Sequence, residues 1–296
     1  MKPFFTEVSG KWILAGEHSV LRGCPALVFP LLSRKFSLKF TPGGDGLCLK
    51  SSGERGSEFE LLLWGVLEKA CQNCAISRAD LRGEIEIGSS IPIGAGLGAS
   101  AALCVAIARW FDSFGALKNM SLYEFARDLE NLFHGESSGV DIAVALSGKP
   151  IRFLRAEQAR QEWVPAWTPK LYISYSGKRG VTLECVKKVK TFIEANPKLG
   201  EHADAEMREA VELCERALRM SPKEGFAMLA GGLELAQSCF VRWGLVNEIC
   251  DRKIKELRAA GAHSTKMTGS GEGGFILSLW ENEPPESIKS ELISCF

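Results

Sequence analysis

The sequence predicts an α+β protein in two domains, and three observations lead there. At 296 residues the chain is long enough for a large core and for two domains. Its first half carries short segments in which apolar and polar residues alternate, the period of a half-buried strand. Its second half is dominated by long amphipathic helical patterns with a few strand-like segments between them, as in an α+β layer. A stretch rich in breakers and polar residues, Gln158 to Pro169, reads as a hinge, and the domains are expected at 1–165 and 166–296.

Taken in order, Val8 to Leu14 reads as a strand carrying Lys11. The polar loop Ala15-Gly16-Glu17-His18-Ser19-Val20 follows, then a second apolar strand, Ala26 to Leu32. On residue type alone, Lys11 reads as an exposed strand lysine and His18 as a loop histidine. Phe36 to Phe40 and Leu47 to Leu49 are further strands around the turn Pro42-Gly43-Gly44-Asp45-Gly46. Glu58 to Ala70 has helical spacing, and Leu81 to Ile87 alternates as a strand. Ser121-Leu122-Tyr123-Glu124 is a capping box opening a helix whose face includes Leu122, Phe125, Ala126 and Leu129, with Glu130 near its end. The small polar loop His134 to Asp141 leads into the apolar Ile142 to Leu146, so Asp141 is either an N-cap or a functional carboxylate. Pro150 to Leu154 is a strand.

Beyond the hinge, Leu171 to Tyr175 is a strand, Ser176-Gly177-Lys178-Arg179-Gly180 a basic turn, and Thr182 the start of a helix. Ala203 to Met220 is a long amphipathic helix. Ser221-Pro222-Lys223-Glu224 is a second capping box, with proline at the first helical position. Trp243 to Ala260 is a helix stopped by Gly261. The strands Ser264 to Thr268 and Phe275 to Trp280 flank Gly269-Ser270-Gly271-Glu272-Gly273-Gly274, and four glycines in six residues exceed what a hairpin needs.

Composition excludes several classes of function. The formal net charge is zero, which argues for neither nucleic acid nor an anionic membrane as partner. The longest nearly apolar run, Ala99 to Ala108, is too short to span a bilayer. The first residues contain no apolar signal-peptide core. Ten cysteines without regular spacing suggest reduced thiols and a cytoplasmic location. Cys71 and Cys74 form a C-x-x-C with no second pair and no nearby histidine, and read as the end of a buried helix, not as metal ligands.

One stretch organises the chain: Ile91-Pro92-Ile93-Gly94-Ala95-Gly96-Leu97-Gly98-Ala99-Ser100-Ala101-Ala102, running without a breaker into the helix Leu103 to Trp110. Glycine lets backbone N–H groups approach a ligand closely, and the helix that follows adds its unpaired first-turn N–H groups and dipole. Together these make an anion site, most often for phosphate. Ser100 lies in the first turn, where a hydroxyl reaches a phosphate oxygen or its metal. Three readings compete: a tight turn before a buried helix, a dinucleotide fingerprint (Gly94, Gly96 and Ala99 fit G-x-G-x-x-[GA]), and a nucleotide-triphosphate loop other than the P-loop. The fingerprint needs an acidic residue ending a second strand about twenty residues on, and none is there. No G-x-x-x-x-G-K-[ST] and no protein-kinase motif set occurs.

Lys11-Trp12-Ile13-Leu14-Ala15-Gly16-Glu17-His18-Ser19-Val20, Pro92 to Ala102, and Lys266-Met267-Thr268-Gly269-Ser270-Gly271-Glu272-Gly273-Gly274 resemble the three motifs of the galactokinase, homoserine kinase, mevalonate kinase and phosphomevalonate kinase superfamily, the GHMP kinases. They occur in that family's order across nearly the whole chain. Gly10 to Gly23 and His134 to Asp141 look most like the mevalonate kinase branch. The resemblance implies the two-domain GHMP fold: an amino-terminal domain of ribosomal-protein S5 type and a ferredoxin-like carboxyl-terminal domain. It implies ATP-dependent phosphorylation of a small alcohol, mevalonate to 5-phosphomevalonate in isoprenoid biosynthesis. Another GHMP kinase activity (phosphomevalonate, homoserine or sugar) and a catalytically silent ligand sensor are the alternatives. ATP and Mg²⁺ are the implied cofactors, and a homodimer is compatible with the family.

The same resemblance assigns residues. Pro92, Gly94, Ala95, Gly96, Leu97, Gly98, Ala99, Ser100 and Ala101 would hold ATP, and Ser100 and Glu130 the Mg²⁺, which keeps waters and phosphate oxygens as its other ligands. Asp141 matches the catalytic aspartate and Lys11 the lysine that stabilises developing charge. Glu17, His18, Arg152, Thr182, Gly269 and Ser270 fall on the acceptor side, where Arg152 is equally readable as an exposed strand arginine. The chain departs from the family pattern at Ser9, at Ala99, which replaces the first of a serine pair, and at Glu272, which places a negative charge where phosphate would approach.

Overall fold

A computed structural model describes residues 1–52, 59–134, 137–155 and 159–296. They form two compact units, each assembled from separate stretches: Met1–Lys11, Pro30–Ile93 and Leu97–Gly148 in the first, and Trp12–Phe29, Gly94–Gly96 and Lys149–Phe296 in the second. The units interleave along the chain. Two long strands, β1 (Phe4–Ala15) and β2 (Ala26–Pro42), pass from one unit to the other.

In the first unit the later half of β2 pairs antiparallel with β4 (Gly83–Ser89), Phe36 opposite Ser89. Strand β3 (Leu47–Ser52) pairs parallel to β4, Leu49 opposite Ile85. Parallel neighbours need a crossover, and helix α1 (Glu60–Cys74) lies on it. Along β4 the period-two pattern holds: Ile85 and Ile87 are buried, while Glu84 and Glu86 pair outward with Lys50 and Lys39. Helix α2 (Ala99–Ser113) is buried at every position from Ala101 to Ala108, the signature of a helix covered all round. Helices α1, α3 (Leu122–His134) and α4 (Val140–Ser147) pack on it. The predicted capping box opens α3: Ser121 Oγ accepts from the Glu124 N–H at 3.2 Å, and Glu124 Oε2 accepts from the Ser121 N–H at 3.1 Å. Cys71 and Cys74 are buried along α1, as expected.

In the second unit the earlier part of β2 pairs with β5 (Ile151–Leu154), which pairs with β6 (Ala159–Glu162). The rings of Trp12 and Phe29 stack at 4.6 Å. Strands β7 (Lys170–Tyr175), β8 (Ser264–Thr268), β9 (Phe275–Trp280) and β10 (Leu292–Ser294) make an antiparallel sheet in the order β10-β7-β9-β8. Every residue of β8 and β9 is buried. Helices α5 (Thr182–Ala195), α6 (Pro197–Arg219), α7 (Pro222–Arg242) and α8 (Glu248–Ala259) accompany this sheet, α6 packing along α7 and α7 against β8; a single turn, α9 (Glu286–Lys289), precedes β10.

Four local expectations are corrected. The strands expected at Ala26–Leu32 and Phe36–Phe40 are one strand, because Ser33-Arg34-Lys35 is polar but contains no breaker. The helix expected from Trp243 begins only at Glu248: Gly244 takes φ +68°, and Asn247 caps α8 by accepting the Cys250 N–H at 3.0 Å. The expected hinge contains β6, while its first residue, Gln158, lies outside the described residues. At Ser221 the hydroxyl donates to Glu224 Oε2 at 2.6 Å and does not cap an N–H, although Pro222 does open α7.

Candidate active site

In the first unit, Lys11 sits on β1 with its backbone N–H donated to the carbonyl of Leu97, in the glycine loop, at 2.9 Å. Its side chain is buried, and its Nζ lies 2.9 Å from Asp141 Oδ2. Asp141 is the second residue of α4. The N-cap of that helix is Gly139, at φ +80° and with no side-chain cap, so the carboxylate of Asp141 faces Lys11 instead of capping its own helix. The structure thus brings together two charges 130 residues apart by position, one on a strand and one in the first turn of a helix. A carboxylate there also faces the favourable end of the helix dipole.

Glu130, on α3, is 1% exposed. Its Oε2 accepts from the Ser137 hydroxyl, which in turn accepts the Gly139 N–H at 3.0 Å. Its Oε1 is buried without a hydrogen-bond partner. Burial, and secondly the neighbouring charge of Asp141, raise its pKa from 4.5 to about 8. A buried carboxylate oxygen without a hydrogen-bond partner fits a bound divalent cation, which supplies the missing counter-charge. Among the described residues no group of three or more His, Cys, Asp or Glu could hold a metal ion. Of the motif His134 to Asp141, Gly135 and Glu136 lie outside the described residues.

The glycine loop repeats one backbone device. Gly94, Gly96 and Gly98 take φ of +71°, +83° and +78°, while Ala95, Leu97 and Ala99 between them are buried. Pro92, Gly96 and Ser100 are partly accessible, and Ala101 is buried with the body of α2. Gly98 precedes α2 with no side-chain cap, so the first-turn N–H groups have no cap from it. A Cβ at Gly98 would stand 2.7 Å from Lys11 Cγ. Gly98→Ala is therefore expected to displace Lys11 and strain the loop, lowering turnover by about tenfold or more, as a misplaced catalytic group does. Steady-state kinetics on the folded variant check this; wild-type turnover would contradict it.

In the second unit, Glu17 pairs with Lys266, Nζ to Oε1 2.5 Å, with exposures of 2% and 0%. His18 follows at φ +58°, its Nε2 2.8 Å from the carbonyl of Ser270. A carbonyl only accepts, so that nitrogen carries the proton. Ser19 Oγ and the guanidinium of Arg22 both donate to Asp204 on α6, fixing the turn. Thr182 Oγ1 donates to Ser270 Oγ at 3.4 Å. Gly269 faces Gly96 closely enough that a Cβ on Gly96 would stand 3.8 Å from its Cα. Arg152 donates its Nε–H to Glu215 at 3.1 Å. Glu272 does not leave a loose negative charge in the glycine run. Its Oε1 lies 2.5 Å from Lys188 Nζ, and its backbone is held by Leu245 O and the Asn247 amide.

Burial lowers the His18 pKa from 6.5 to about 4. Below pH 6.5 the unfolded chain takes up a proton that the folded chain refuses, so stability falls as pH drops from 6.5 through 4, by about 3 kcal/mol in all. His18→Gln should remove this slope, as read from chemical denaturation at a series of pH values; an unchanged slope would contradict it.

Sequence reasoning missed three residues here. Ser137 stood in the quoted motif but had no assigned role. Lys266 headed the third motif unremarked. Arg179, read as part of a basic turn and as one of two candidates, with Lys178, for binding an acidic substrate, was not placed at the glycine loop, yet its Cδ is 3.7 Å from where a Cβ on Gly94 would stand.

The model of the GHMP kinases N terminal domain matches residues 62–149. Mevalonate kinase of Archaeoglobus fulgidus is 30% identical, the match covering 94% of this chain and 92% of that protein. Mevalonate kinase of Aeropyrum pernix is 29% identical over 95% and 90%. Among solved structures, L. major mevalonate kinase in complex with R-mevalonate superposes with a TM-score of 0.75 at 21% identity, covering 95% of this chain and 88% of that one.

Proposed function

The chain belongs to the GHMP kinases, and from that premise we propose that it transfers the γ-phosphoryl group of ATP to the C5 hydroxyl of mevalonate. The observation that carries the chemistry is the Lys11–Asp141 pair at 2.9 Å, and the choice of acceptor follows the relatives named mevalonate kinase along nearly the full chain. Phosphoryl transfer needs positioning and charge stabilisation more than covalent chemistry. The hydroxyl oxygen attacks the γ-phosphorus as the bond to the ADP oxygen breaks, and the hydroxyl proton passes towards Asp141. Lys11 stabilises the negative charge that develops on the attacking oxygen and the transferred group. Gly94 to Ser100 hold the phosphates through backbone N–H groups, with Pro92 and Ala101 bounding the loop. Ser100 and Glu130 would hold Mg²⁺, which when bound neutralises phosphate charge. Glu17, His18, Thr182, Gly269 and Ser270 form the acceptor side. Arg152, whose Nε donates to Glu215, belongs to the same side.

A sensor without activity is disfavoured because Lys11, Ser100, Glu130 and Asp141 are all present. Among the described residues no helix is long and apolar enough to cross a membrane. A coupled ADP-release assay across mevalonate, phosphomevalonate, homoserine and galactose tests the reading. Mevalonate is expected to give the highest kcat/KM; a preference for any other acceptor would replace it.

A further inference from the structure

Lys266 is an ammonium with no exposed surface, a rare placement for lysine unless the charge is paired. On β8 it shares a face with Thr268, two positions on, the strand leads into the turn at Ser270, and all three residues reach the segment Ile13–His18. Lys266 Nζ donates to Glu17 Oε1 at 2.5 Å and to the Ile13 carbonyl at 3.5 Å. The Thr268 hydroxyl donates to the same carbonyl at 3.0 Å and accepts the Ile13 N–H at 3.1 Å. The Ser270 carbonyl accepts from His18 at 2.8 Å. Two segments 249 residues apart are joined by one polar seam with a buried ion pair at its centre. The ammonium also lies over the Phe240 ring, 5.4 Å from its centroid.

A buried ion pair is a poor device for stability, since apolar residues of the same volume do as well or better. It does fix geometry and charge. The acceptor proposed above carries a carboxylate, and a buried Glu17 without a counter-charge would repel it. We propose that Lys266 is a positioning residue for acceptor recognition: it neutralises Glu17 and, with Thr268 and Ser270, sets the loop Glu17–His18 in its binding geometry. This rests on the assignment of Glu17 and His18 to the acceptor side.

The test uses the full chain with three changes: K266R, K266M, and the neutral pair K266M with E17Q. Folding is checked by circular dichroism and melting, and KM is measured separately for mevalonate and ATP. K266R and K266M are expected to raise the mevalonate KM by about tenfold, the effect of 1.4 kcal/mol, with the ATP KM within about twofold. K266M should melt lower than wild type, and the double change should recover much of that loss while keeping the raised mevalonate KM. A residue with a merely structural role would lower the melting temperature and leave the two KM values in their wild-type ratio. Folded variants with a wild-type mevalonate KM, equal rises in both KM values, or failure of all three variants to fold would each overturn the proposal. A wild-type enzyme that turns over ATP but ignores mevalonate would overturn the functional reading and this inference with it; an active wild type with unaffected variants would overturn this inference alone.

Discussion

Replacing Asp141 with Asn is expected to lower turnover by about 10²–10⁴-fold, the range of a lost general base, with little change in ATP affinity. Asparagine keeps the shape and one acceptor oxygen opposite Lys11, but it removes the charge and the basicity. The nucleotide contacts are assigned to other residues, Gly94 to Ser100 and Glu130, so an ATP titration should be nearly unmoved. Stability should fall modestly, because the buried Lys11 ammonium loses its counter-charge 2.9 Å away. The alternative open from the sequence, an N-cap aspartate, predicts a loss of about 1 kcal/mol with normal turnover in the folded fraction. Gly139 occupies the cap position, which already argues against it. One purified variant, measured for melting, ATP binding and turnover, separates the two; a stable protein with wild-type turnover would remove Asp141 from the mechanism.

The second large effect is expected at Glu130. Glu130→Gln should raise the Mg²⁺ concentration for half-maximal rate by about tenfold or more, because a neutral amide is a poor ligand for a hard cation. The same change should not destabilise the metal-free protein. The folded carboxyl has its pKa raised from 4.5 to about 8, so it holds a proton that the unfolded chain has released. Its contribution to stability is fully present below pH 4.5 and is lost as pH rises through 8. The glutamine, which never ionises, escapes that loss. At pH 8, without metal, the variant should melt at or above the wild type. A lowered melting temperature with an unmoved Mg²⁺ dependence would instead make Glu130 a structural residue of α3.

The amino-acid sequence carries some of this plainly and hides the rest for identifiable reasons. Glycine spacing from Gly94 to Gly98 is a backbone property, and it appears in the structure as three left-handed residues at alternate positions. The capping box at Ser121 is equally local and survives intact. On residue type Lys11 looked like a strand lysine and Asp141 stood open between a helix cap and a functional carboxylate, and only the family resemblance drew them together. Ion pairs between distant positions left no trace in any window: Lys266 with Glu17, Lys188 with Glu272, Arg152 with Glu215. Those pairs bear on how a charged residue meets a ligand, and Arg152 and Glu272 are the cases in point. The extra length of β2 and the break between α7 and α8 were illegible for a different cause. A polar triplet does not end a paired strand, and one glycine with an asparagine cap does end a helix inside an otherwise continuous helical pattern.

Transfer of phosphate from ATP to the C5 hydroxyl of mevalonate is read directly in the product. The purified chain is incubated with ATP, Mg²⁺ and R-mevalonate, and the mixture is read by phosphorus NMR. A new phosphomonoester resonance coupled to the C5 methylene protons, growing in step with ADP, is the predicted result. ADP accompanied only by inorganic phosphate, or no consumption of ATP under conditions where the protein is folded and binds nucleotide, would contradict it.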